Sequence, residues 1–414
     1  MAKIIELDVE TLKWARSHFA RYYSEASIPP PPRLPRREFA AFPFATETMM
    51  RRHATLRDVG EFREFLRHEV PRHIYYSSAY YQLPAESSMS AKQWMGADVI
   101  FDLDADHLRG AETLDYAAQL ELVKRRLLSL VDDFLARDFG VQPSDMSIVF
   151  SGGRGYHVHI RTPEFASLTS QDRRELVDYI MGAGFDPGRA IVARKEDVRE
   201  GRVLGSSESG TVEEAGLSPR LHQLPDPDAP GWQGRTTRAT LSTLRRWKEV
   251  GAPQVQRELV GLGIPRTRAR RWAPILTDAR AIDKVLDNGG LDAFTPVPPV
   301  EFLTAMVRGA AVEVQGETDA PVTTDVHRLI RLPGSLHGGT GFRVVPISRA
   351  ALEEFNPFFD APLRAEGRTP VRLRSNVDYP FPDGGLHGPA DTVLEVPTPQ
   401  ALFLVLRGEA ELRP

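Results

Sequence analysis

The stretch VIFDLDADHL, residues 99–108, sets a β-type apolar run against three aspartates at every second position, Asp102, Asp104 and Asp106. Alternation puts residues two apart on one face of a strand. Like charges on one face repel, and strands tolerate Asp poorly. Residues 98–104 therefore predict a buried strand with something positive at its acidic end. Asp102 and Asp104 would project about 6–7 Å apart along it. From that spacing two carboxylates can reach around one or two hard cations, for which oxygen ligands suit Mg²⁺ or Mn²⁺. The plain alternative is a strand end with solvated acids. His107 reads as a capping or supporting residue rather than a ligand.

Working outward, residues 112–139 have apolar side chains at helical spacing and predict one amphipathic helix. MSIVFSGGRGYHVHI (146–160) reads as strand, glycine turn, strand. In such a turn Ser151, Gly152, Gly153 and Gly155 expose backbone N–H groups that can cradle phosphate oxygens. Arg154 sits inside it, where a guanidinium can grip a triphosphate bidentately. His157 and His159 alternate on one strand face, so that one can meet the same anion. An ordinary hairpin turn would look similar, and no GK[ST] follows, so this is not a Walker A loop. A third region, ETDAPVTTDVHRLIRLPGSLHGGTGF (317–342), carries Asp319 and Asp325, then Arg328 and Arg331, with His337 between two turn signals. Acids that can hold metal, beside arginines that can neutralise phosphate, are the chemistry of phosphoryl transfer.

Elsewhere the pattern predicts a helix at 8–24, an extended Pro-rich connector at 28–37, and aromatic strands in REFAAFPF (37–44) and HIYYSSAYY (73–81). A helix at 170–182, a loop at 201–236 and several short helices in 237–290 follow. Strands and a turn occupy 327–347, and a last strand and helix 392–409. The three chemistry-bearing motifs lie far apart in the chain, so one site requires a fold that reassembles them. The expected class is α+β, a mixed α/β catalytic core formed by 1–200 and 291–414 and interrupted by a loop and helical subdomain at 201–290.

The 414 residues are 41% hydrophobic and 26% charged with a formal net charge of −4, so any anion-binding surface is local rather than global. The absence of cysteine excludes disulfides, thiolate zinc sites, Fe–S ligation and cysteine nucleophiles within this chain. The first twenty residues are mixed in charge, unlike a signal peptide. No apolar run approaches the roughly 18–20 residues of a membrane helix. The expectation is a soluble, cytoplasmic chain without membrane contact.

FDLDADH, SGGRGYHVH and DVHRLIRLPGSLHGGTG, in that order, resemble the three motifs of the archaeal and eukaryotic-type DNA primase small, catalytic subunit, with REFAAFPF and HIYYSSAYY as further matching elements. The resemblance spans about 37–347 and is weakest in 200–310. It implies template-directed synthesis of short primers for DNA replication by two-metal nucleotidyl transfer, with release of pyrophosphate. Asp102, Asp104 and Asp319 would hold the two catalytic ions, Mg²⁺ or Mn²⁺. Asp319 lies eighteen residues before His337, a spacing that fits better than that of its rival Asp325. Ser151, Arg154 and His157 would hold the incoming triphosphate, and Arg331, His337 and Arg328 would add phosphate contacts. Glu38 would touch the nucleotide sugar, with Arg52 as a basic contact. The implied partners are a large subunit bearing an Fe–S cluster, a single-stranded DNA template and nucleoside triphosphates. Relatives commonly place a Cys-rich zinc motif between the first and second motifs. Here 108–145 contains neither Cys nor His, and no structural zinc is expected there. A stand-alone repair or end-joining polymerase of the same superfamily is the alternative reading.

Overall fold

The structure is a computed structural model describing residues 7–45, 49–186, 192–194, 221–298, 300–382 and 384–413. The chain divides into two compact units, one formed by Met1–Ile180 with Glu317–Pro414, the other by Met181–Gly316. The class is mixed α+β.

The first unit is built on two four-stranded antiparallel sheets. One runs Val345–Ile347, Met146–Phe150, Gly155–Ile160, Val99–Asp104. The other runs Leu329–Arg331, His73–Ser77, Phe39–Phe42, Arg51–Ala54. The acidic strand follows the period-2 rule: Val99, Phe101 and Leu103 are buried on one face, while Ile100, Asp102 and Asp104 share the other. Ile100 joins a core with Ile74, Tyr76 and Ile330 of the second sheet and Phe19 of the first helix, Val9–Glu25. The face that starts in this core ends in the two aspartates. Across the ladder Ile100, Asp102 and Asp104 stand opposite His159, His157 and Gly155. The C-terminal helix Thr398–Leu406, nearly all buried, follows the strand Val393–Pro397 and precedes Ala410–Leu412.

Several local expectations are revised. The aspartate triplet is not on one strand face. The strand stops at Asp104, whose carboxylate accepts the Asp106 N–H at 3.0 Å and caps the 3₁₀ turn Ala105–His107. The helix expected over 112–139 spans Tyr116–Ser129 and then changes to a π-helical register over Leu130–Ala136, where Leu130, Val131, Phe134 and Leu135 are all buried. HIYYSSAYY is two strands, His73–Ser77 and Ala79–Tyr81, in different sheets. The buried Arg37 guanidinium takes up the carbonyls of Ser77 and Ser78 at the break, at 2.7 and 2.8 Å. The connector after the first helix is not fully extended. Arg33 is left-handed (φ 57°) and Leu34–Arg36 form a 3₁₀ turn that buries Leu34.

In the second unit, helices Gly231–Val250, Ala252–Gly261, Arg266–Leu276, Ala279–Asn288 and Val300–Glu313 enclose Leu244, Trp247, Leu259, Ile282 and Phe302. Most of the loop expected over 201–236 lies outside the described residues. Residues 231–236, however, open the helix Gly231–Val250: Trp232 and Thr236 are buried, and the hydroxyl of the buried Thr240 one turn on closes back on the Thr236 carbonyl at 2.8 Å. Among the described residues no helix is long and apolar enough to cross a membrane.

Candidate active site

Three carboxylates from two distant parts of the sequence meet at the acidic strand. The Asp319 N–H donates to the Asp102 carbonyl at 2.8 Å, and the Thr318 hydroxyl reaches the same oxygen at 3.3 Å. This ties the start of the third motif to the first. Asp319 then leads into the short helix Ala320–Thr324. Asp325, at the far end of that helix, is exposed and spends its carboxylate on the His327 N–H at 2.8 Å. Burial, reinforced by the like charges of Asp104 and Asp319, pushes the Asp102 carboxyl up to about 7, against the opposing pull of Arg328 and Arg331. Across the ladder His157 Nε2 lies 3.5 Å from Asp102. Burial, with Arg331 and Arg328 nearby, takes that imidazole down to about 3, so it stands neutral and cannot discharge the acids. His107 Nε2 is 3.7 Å from Asp319 and mostly exposed.

Among the described residues no three acids and imidazoles form a closed cation cage by themselves. That suits the chemistry of the donor set. Mg²⁺ is usually held by one or two carboxylates together with water and substrate phosphates, not by an all-protein cage. A buried carboxyl raised further by two neighbouring acids fits divalent cations that arrive with an anionic substrate.

The glycine turn lies beside this cluster and is locked to the third motif. A Cβ on Gly152 (φ 76°) would stand 2.7 Å from His337 Cβ, so only glycine permits the approach. The Thr340 hydroxyl donates to the Gly152 carbonyl and the Tyr116 hydroxyl to that of Gly153, each at 2.6 Å. Ser151 is turned inward, its Oγ accepting the Gly153 N–H at 3.3 Å. Arg154 is engaged by Asp106, with its Nε 4.0 Å from Asp104. His337 Nδ1 accepts from the Gly339 N–H at 3.2 Å, and burial with Arg331 beside it holds the ring well below the usual imidazole range. Arg331 lies over the Tyr75 ring at 5.0 Å.

Glu38 and Arg52 form a pair of their own. Glu38 is fully buried, and its Oε1 takes the Arg52 Nε at 3.0 Å and the His53 N–H at 3.3 Å, with Lys92 Nζ 3.5 Å from Oε2. The sugar contact expected of Glu38 has no accessible carboxylate oxygen in this conformation, whereas Arg52 is a third exposed. Sequence reasoning missed Tyr116 and Thr340, which pin the turn, and Asp106 as the partner of Arg154. A hydroxyl aimed at a distant carbonyl leaves no periodic signal.

A family profile described as DNA primase small subunit matches residues 101–259. The chain is also 36% identical over 415 residues to the DNA primase small subunit PriS of Methanocella arvoryzae, covering 98% of this chain and 99% of the relative. This chain belongs to the DNA primase small subunit family. The PriS proteins of Methanococcoides burtonii (36% over 412 residues, 99% and 100% covered) and Methanothrix thermoacetophila (37% over 412, 98% and 100%) are similar throughout their length. As a primase small subunit the protein is a nucleotidyltransferase acting in DNA replication.

Proposed function

We propose that this primase subunit joins nucleotides at the Asp102–Asp104–Asp319 cluster, on a single-stranded DNA template and from nucleoside triphosphates. The observation that carries the reading is the crowding of these acids opposite a neutral His157, with the glycine turn, Arg331 and His337 alongside. The three carboxylates would hold two divalent cations, Mg²⁺ or Mn²⁺, which when bound supply activation of the 3′-hydroxyl and charge neutralisation on the leaving pyrophosphate. Arg154 exchanges Asp106 for the triphosphate, a swap of one charge-assisted partner for another. Arg331, Arg328, His157 and His337 line the phosphate side, and Ser151 orders the backbone N–H groups of the turn. Arg52, held by Glu38, is the basic group on the nucleotide's other side. A large subunit bearing an Fe–S cluster is the partner for initiation; this chain itself has no cysteine to ligate one.

The test is primer synthesis on an unprimed single-stranded template with Mg²⁺ or Mn²⁺, with and without the large subunit, alongside Asp102→Ala. The expected result is de novo product from the wild type and a loss of at least ~10³-fold in a folded mutant. Extension of supplied primers only would shift the reading to a repair polymerase. Full activity of Asp102→Ala would remove the cluster from the chemistry.

A further inference from the structure

His73, the first residue of HIYYSSAYY, carries no role in the reading above, yet it joins the two walls of the phosphate side. It is the first residue of the strand His73–Ser77, and the neighbouring strand brings Arg331 opposite Tyr75, two residues further along. Arg331 Nη1 lies 2.6 Å from His73 Nδ1, and the Gly338 N–H reaches the same nitrogen at 3.3 Å. Arg72, next in the chain, donates from Nε to the Gly338 carbonyl at 3.0 Å. Gly338 is thus held at both its N–H and its C=O, immediately after His337. The His73 ring also meets the His337 ring edge to face at 5.2 Å and packs against Tyr75 and Phe42.

Both groups that approach Nδ1 are obligate donors, so Nδ1 must be the bare acceptor nitrogen and the proton must sit on Nε2. Burial, with Arg331 and Arg72 close by, keeps this imidazole well below its usual range, in line with a neutral ring. A cationic residue here could not accept from Arg331, and an aliphatic one would free that guanidinium to rotate.

We infer that His73 is a positioning residue for triphosphate recognition: its Nδ1 sets the Arg331 guanidinium and, through Gly338, the His337 turn at a fixed separation. The inference rests on the reading of Arg331 as a phosphate contact.

The experiment measures binding of ATP and of AMP, each with Mg²⁺, by calorimetry to the wild type, His73→Leu, His73→Asn, Arg331→Leu and the His73→Leu/Arg331→Leu double variant, with thermal midpoints as folding controls. Asn places an amide oxygen near the position of Nδ1 and keeps the acceptor. The expected result is that His73→Leu weakens ATP about tenfold with little change for AMP, that His73→Asn stays within about threefold of wild type, and that the double variant is no weaker than Arg331→Leu. Equal loss for ATP and AMP, or additive losses in the double variant, would overturn the positioning role. Wild-type affinity in His73→Leu combined with weak binding by Arg331→Leu would also sink it. If Arg331→Leu itself binds ATP normally, the phosphate reading of Arg331 fails, and the assignment of His73 falls with it.

Discussion

Asp98 and Asp102 stand four residues apart and meet opposite electrostatic fates. Asp98 is fully buried, and the fold supplies its counter-charges: Arg37 Nη2 at 2.9 Å, Arg161 Nε at 3.2 Å and the Tyr80 hydroxyl, while Arg173 takes its backbone carbonyl at 2.8 Å. Asp102 meets two further carboxylates and a neutral imidazole. Protein chains bury charge at a cost that only well-placed partners offset. The molecule completes one such set from its own residues and leaves the other open. The difference is one of counter-charge: a carboxylate the fold satisfies holds strands together, and one it leaves crowded is open to a proton or, on the proposed reading, to a cation from outside.

The contrast breaks most visibly at Asp98. Asp98→Ala leaves Arg37 buried without its carboxylate, and the expected loss is about 3–5 kcal/mol, read as a drop of about 10 °C in thermal midpoint. Asp102→Asn should leave the midpoint unchanged or raise it, because it removes a repelling charge. Equal destabilisation by both would erase the distinction. A smaller effect sharpens it. Added Mn²⁺ should raise the wild-type midpoint by a few degrees, EDTA should reverse the gain, and Asp102→Asn should show none. The smallest effect is at Tyr80→Phe, which removes one hydrogen bond to the Asp98 carboxylate and should cost about 1–2 kcal/mol in urea denaturation, with primer synthesis intact in the folded enzyme.

The parts legible in the sequence were those written in local period. Alternation in 99–104 placed Asp102 and Asp104 on one face, and the glycines of 152–155 marked the turn between the next two strands. Where a local choice depended on a distant partner, the pattern was silent. The strand's end at Asp104 was legible, but the turn that takes Asp106 off its face was hidden, because an aspartate two residues ahead of a free N–H reads equally as strand or cap. The split at Ser77–Ser78 depended on a guanidinium forty residues upstream. The engagement of Arg154 by Asp106 joins residues on either side of a long helix and a strand. His73 was visible only as an aromatic-strand residue, since its partners lie more than 250 positions away.

The bond from the Asp319 N–H to the Asp102 carbonyl also has a bearing on biosynthesis. A ribosome makes Asp102, Asp104 and the glycine turn early, then the whole of Met181–Gly316, and only afterwards the third acid, Arg331 and His337. A nascent or prematurely released fragment holds two acids without the third and a turn without the histidine packed on it. On the proposed assignment of the site, such a product lacks the third acid and its phosphate-side partners until the last quarter of the polypeptide emerges.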